Sequence, residues 1–158
     1  MFKVLMHKDV YFPGNVQEIT RGMQERISEI EYSEHIKEHF STIRDRSHNY
    51  CGDRVMACIE TLSNTPRESF EVEVGKDYRF FGRAGFFVTK YCVRIPYDDY
   101  DDVVVVLRPV YEDDGTGRRS YRGRCKVATA WLNQHDDAHF TLDGERYCSK
   151  DEWMGING

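Results

Sequence analysis

No two cysteines in this chain stand in a Cys-x-x-Cys pair. The five that occur, Cys51, Cys58, Cys92, Cys125 and Cys148, are scattered and odd in number. That excludes the usual zinc-ribbon spacing and argues against a disulfide framework, so mostly buried, reduced thiols in a cytosolic chain are expected. No apolar run approaches the roughly 20 residues of a membrane span. The opening Met1-Phe2-Lys3-Val4-Leu5-Met6 is too short an apolar stretch for a secretory signal. No repeat, linker or low-complexity tract breaks the sequence. Excess positive charge is also missing: the net charge of −5 argues against general coating of nucleic acid. A soluble, cytoplasmic protein without membrane association is expected, folded as one domain over 1–158. Its expected parts are a mainly helical 1–65, a sheet over 66–148 and a tail over 149–158.

Aromatic residues are plentiful, and their distribution divides the chain. In the first half, Asn15 with Glu18 has the shape of a capping box, and Val16, Ile19, Met23, Ile27 and Ile30 recur at spacings of three and four. Ser33 caps a second expected helix, with Ile36, Phe40 and Ile43 as its apolar stripe to about Arg46. After a break around Asn49 to Asp53, Val55, Met56, Ile59 and Leu62 mark a third helix. Met1 to Met6 reads as a short strand or an extended lead-in.

The second half alternates. Phe70, Val72 and Val74 are separated by Glu71 and Glu73, and Phe86 to Ile95 is aromatic and β-branched up to Pro96. Val103 to Leu107 is an unbroken apolar run, the pattern of a central strand covered on both faces. Asp113-Asp114-Gly115-Thr116-Gly117 signals a turn, and Cys125 to Leu132 returns as the neighbouring strand. Phe140 to Leu142 makes a short last strand. Helices followed by strands predict an α+β fold, with N-terminal helices on one face of a four- to five-stranded antiparallel sheet.

Charge is distributed unevenly. Acidic clusters stand at Asp98 to Asp102 and Glu112 to Asp114. Arg118, Arg119, Arg122, Arg124 and Lys126 form a basic run interleaved with Tyr121. Such a run is either a solvated hairpin tip or a local phosphate-binding patch. On the second expected helix, His35, His39, Thr42 and Arg46 fall at i, i+4, i+7 and i+11, on one stripe beside the apolar one. His35 and His39 are correctly spaced for a metal that His135 and His139 would complete. Yet no HExxH arrangement or cysteine pair assists, so no metal and no cofactor is assigned. Proton transfer by one of these histidines is preferred to zinc, and an inert histidine at the core boundary weighs as much as both together.

The stretch Thr129-Ala130-Trp131-Leu132-Asn133, a short acidic turn with His135, then His139-Phe140-Thr141-Leu142-Asp143 and Tyr147, resembles the C-terminal signature of small bacterial and phage nuclease domains. These form the barnase, EndoU, colicin and RelE-like assemblage. The match covers about a fifth of the chain. The resemblance implies metal-independent RNA cleavage in a cleft holding a helical histidine and the C-terminal His/Thr pair, carried here by His139 and Thr141.

From the residues themselves, His35 or His39 supplies a second proton-transfer group. Arg118, Arg119, Arg122, Arg124 and Lys126 supply phosphate contacts. Tyr121, Tyr147 or Trp131 offers a stacking ring. The expected partner is an RNA, free or within a ribonucleoprotein, and the setting would suit a phage or mobile-element protein acting on a host component. The acidity departs from the basic character of many toxin nucleases in that assemblage. The competing reading is a non-catalytic inhibitor or interaction module whose Asp98 to Asp102 cluster, with Tyr97 and Tyr100, engages a basic protein.

Overall fold

The computed structural model describes residues 3–7, 27–65, 70–76, 86–113, 115–116, 119–136 and 147–149. Its elements, in chain order, are β1 (Lys3–His7), β2 (Glu29–Glu31), α1 (Glu34–Phe40), α2 (Gly52–Glu60), a 3₁₀ turn (Leu62–Asn64), β3 (Phe70–Lys76), β4 (Phe86–Pro96), β5 (Asp101–Asp113), β6 (Arg119–Gln134) and β7 (Tyr147–Ser149). The described strands form one seven-stranded sheet in the order β2-β6-β5-β4-β3-β1-β7. The fold is α+β. Among the described residues, no helix is long and apolar enough to cross a membrane.

The antiparallel centre follows the sequence pattern. Val103 pairs with Leu132 and Val105 with Ala130, so β5 and β6 are adjacent, and β4 flanks β5 on the other side. All of Val103 to Leu107 is buried. Val103, Val105 and Leu107 join the main core with Ile36 and Phe40 of α1 and Val55 and Ile59 of α2. Val104 and Val106 point the other way, into a second cluster with Cys92, against which Ala128 and Trp131 pack. A strand side chain reverses direction at each residue, which is how one apolar run supplies both clusters.

The sheet is mixed, not wholly antiparallel, and has more strands than expected. β1 lies parallel to β3, and β2 lies parallel to β6 with Ile30 opposite Cys125. Ile27 and Ile30 had suggested the end of a helix. Glu29-Ile30-Glu31 alternates as well as it repeats by threes, and pairing with the long β6 decides the matter. The rest of that expected helix, and the strand expected at Phe140 to Leu142, lie outside the described residues.

Helix α1, expected to run to about Arg46, is shorter than that. Ser33 caps it, its side chain accepting from the Ile36 amide at 3.2 Å. Past Phe40, however, the Ser41 and Thr42 hydroxyls donate back to the carbonyls of Glu38 and His39. Such local bonds compete with helix propagation. Arg44 then pairs with Tyr50 in an isolated bridge, so Thr42 and Arg46 are not on the helix with His35 and His39. The chain turns and enters α2 at Gly52. A Cβ there would stand 2.3 Å from the Phe40 carbonyl oxygen, so only glycine lets the two helices approach this closely.

Candidate functional site

From Arg119 on, the basic segment is strand and not a hairpin tip. Residues 119–126 are the first half of β6, where Tyr121, Gly123, Cys125 and Val127 are buried while Arg122 and Lys126 are exposed. This corrects the stacking role expected for Tyr121. Its ring is 5% exposed, tilted against Tyr111, with its hydroxyl 3.6 Å from the Cys125 sulfur. A ring in the core offers no face to a base. Trp131 is half-buried and packs against the second cluster.

Two of the arginines already have anionic partners. Arg124 reaches Glu31 Oε1 at 2.6 Å and Glu112 Oε1 at 2.9 Å, with Glu29 at 3.7 Å. The hydrogen bonds it donates to Glu31 and Glu112 hold its guanidinium more firmly protonated than usual. Arg122 pairs with Glu112 at 3.3 Å. This geometry ties the short strand β2 to β5 across β6, a structural task that competes with phosphate binding. Arg118 lies outside the described residues, as do His139 and Thr141, and of Arg119 and Tyr147 only the backbone is described.

Lys126 stands apart from these pairs. It lines an open cleft of about 750 Å³ formed by β2, the start of α1 and the facing stretch of β5 and β6. Ile30, Ile36, Val127 and Ala128 give it apolar walls, while His35, Arg108 and Lys126 bring an imidazole and two cations to it. Glu29, Glu31, Tyr32 and Ser33 complete the lining. Tyr32 donates to Glu60 at 2.9 Å, and burial together with that carboxylate holds the phenol protonated well above its usual range. Arg108 was not singled out in the sequence. A lone cation immediately after a buried apolar run was the available signal.

The two helical histidines part company. His35 is exposed at the cleft. His39 Nε2 lies 3.0 Å from the Ala130 carbonyl oxygen, so it donates there and ties α1 to β6. The bond holds the helix in place, and the C-terminal pair expected to share a cleft with a helical histidine, His139 and Thr141, lies outside the described residues.

The acidic cluster is largely neutralised within the chain. Asp101, 6% exposed, accepts a two-pronged bond from Arg46 at 3.0 and 3.2 Å. Asp102 faces Arg94 at 3.6 Å and His135 at 2.6 Å. Asp98 accepts from the amides of Tyr100 and Asp101, which lowers its pKa. Tyr97 is buried, with Arg54 stacked 4.2 Å from its ring centre. Asp99 and Tyr100 remain exposed. A charged docking surface for a basic protein therefore has less free charge than the sequence suggested.

Among the described residues no group of three or more His, Cys, Asp or Glu side chains is placed to hold a metal. His135, weighed as a metal ligand, has both ring nitrogens engaged with oxygen atoms. Burial pushes the thiols of Cys51 and Cys58 up, and that of Cys125 to about 11, which leaves them poor nucleophiles at neutral pH. In comparisons with known proteins, the chain matches no protein-family model, no curated protein and no solved structure.

Proposed function

We propose that the protein is an RNA-cleaving endonuclease working without a metal in the cleft of His35, Arg108 and Lys126. The observation that carries this reading is the convergence, in one open cleft with apolar walls, of an exposed imidazole with two cationic side chains. Cleavage of RNA through its own 2′-hydroxyl needs little more. A base removes the 2′ proton, the 2′ oxygen bonds to phosphorus, and the bond from phosphorus to the 5′ oxygen breaks as an acid protonates that oxygen. The products are a 2′,3′-cyclic phosphate and a free 5′-hydroxyl. His35 serves as one proton-transfer group. His139, with Thr141 beside it in sequence, is proposed as the other on the strength of the resemblance. Lys126 and Arg108 stabilise the charge that grows on the phosphorane oxygens.

Incubation of the protein with tRNA, rRNA and guide RNA in EDTA tests the reading, with the ends of any fragments identified. Fragments ending in 2′,3′-cyclic phosphate are expected. Cleavage abolished by chelation would favour a metal-dependent mechanism instead. Absence of cleavage under all conditions would turn attention to the interaction module. Asp99→Lys is the appropriate probe of that alternative, because Asp101 and Asp102 are structural.

A further inference from the structure

Each ring nitrogen of His135 faces an oxygen that accepts. Nδ1 lies 2.6 Å from Oδ1 of Asp102, and Nε2 lies 2.7 Å from the main-chain oxygen of Asp98. A carbonyl oxygen has no proton to give, and an ionised carboxylate has none either. The other oxygen of Asp102 lies 3.6 Å from Arg94 Nε, and carboxylates are ordinarily ionised near neutral pH. A neutral imidazole carries one N–H, so one of the two contacts would set a lone pair against an oxygen. Both contacts are satisfied only when the ring carries both protons.

We infer that His135 is a cationic clamp: as an imidazolium it fastens the turn between β4 and β5 to the end of β6, and loss of one proton releases that corner. The corner is built for such a part. Asp102 pairs with Asn133 across the sheet, the His135 amide donates to the Tyr100 carbonyl at 3.0 Å, and Arg94 donates to the Gln134 carbonyl at 3.2 Å. The backbone bond of His135 is indifferent to pH, whereas its two ring bonds are not.

Among the described residues, the charged groups around it come from several elements. Asp102 comes from β5, Arg94 from β4, and Asp98 and Asp99 from the turn. Asp136 follows in its own chain. Arg46 lies beyond, held by Asp101. Carboxylates outnumber cations here, and the bond to the Asp98 carbonyl, followed by the Asp102 contact, holds the imidazole protonated above its usual range. The consequence for catalysis rests on the ribonuclease reading: His139 comes four residues after His135 in sequence, and the clamp fixes the end of β6 that precedes it. His135 is then a positioning residue.

Nitrogen-detected NMR of the histidine rings in the full chain tests the clamp without reference to activity. At pH 6.5 both ring nitrogens of His135 should be protonated, with a titration midpoint above that of an ordinary histidine. Asp102→Asn should shift that midpoint downward while leaving the fold intact. Amide exchange at residues 133–136, corrected for intrinsic rates, should rise about several-fold as the pH passes the midpoint, the scale of an exposed ionic contact. In His135→Gln that rise should vanish. A ring carrying a single proton at pH 6.5, or a midpoint unmoved by Asp102→Asn, overturns the inference. If RNA is cleaved and the pH profile of His135→Gln matches the wild type on its alkaline side, the clamp's catalytic role is overturned. A clamp verified by NMR in a protein that cleaves nothing would instead count against the ribonuclease reading alone.

Discussion

At position 52 an added methyl group would meet the Phe40 carbonyl at 2.3 Å and the Tyr50 ring at under 3 Å. Alanine normally favours a helix over glycine by about 1 kcal/mol. Here the contact is with backbone, which cannot swing aside, so Gly52→Ala should lower stability by about 1–3 kcal/mol, the cost of overpacking. Thermal unfolding measures this, and an unchanged or raised midpoint would mean that α1 and α2 are not this close.

The two helical histidines make a sharper pair. His35→Ala should lower RNA cleavage about 10²-fold with little effect on stability, as expected for loss of a proton-transfer group. His39→Ala should instead lower stability by about 1 kcal/mol, the worth of its bond to the Ala130 carbonyl, with cleavage by the folded fraction largely kept. Parallel melts and cleavage rates separate the two, and the reverse outcome would exchange their roles.

Asp98 and His135 set opposite limits on pH. His135 has a raised pKa when folded, so its contribution is fully present below the ordinary histidine value near 6.5 and is lost as pH rises through the folded value. Asp98 has a lowered one, so its contribution is present above the ordinary value of 3.8 and is lost as pH falls through the folded value. Stability should therefore plateau between these ordinary values. His135→Gln should flatten the decline on the alkaline side, and Asp98→Asn the decline on the acid side. A pH series of melting curves for the three proteins reads out both.

Among the elements, β2 is a short strand at one edge of the sheet, held by its pairing with β6 and by side-chain contacts. It has three residues, and Arg124 holds Glu29 and Glu31 to it. Arg124→Ala should speed amide exchange at 29–31, and high salt should do the same to the wild type by screening these contacts. Equal protection in both proteins would show that backbone pairing alone retains the strand.

This strand also shows where sequence reading stops. Val103 to Leu107 could be recognised because burial on both faces leaves five successive apolar residues, and Ser33 because a cap has a local chemical form. A three-residue strand that forms by pairing with a segment nearly a hundred residues away has no local signal. The basic run was visible, but the glutamates that neutralise Arg124 come from β2 and β5, and sequence does not bring them together. The same holds for the acidic cluster, whose partner Arg46 arrives from the loop after α1. His35 and Lys126 were both picked out, yet their shared cleft and its third member, Arg108, depend on the parallel pairing of β2 with β6.

Over the whole molecule, a net charge of −5 sets a background that repels RNA. Among the described residues, Arg108 and Lys126 line one cleft, and under the ribonuclease proposal these are the cations that would meet a phosphate. Substrate choice should therefore rest on RNA shape and on contacts at one site, with a shallow dependence of binding on salt. The most direct measurement is single-turnover cleavage of a responsive RNA in EDTA by the wild type, His35→Ala and Lys126→Ala, at enzyme concentrations that saturate the RNA. The cleft reading predicts cyclic-phosphate ends from the wild type and rates about 10²-fold lower for the His35 variant, with folding unchanged. Equal rates for the wild type and both variants would contradict it.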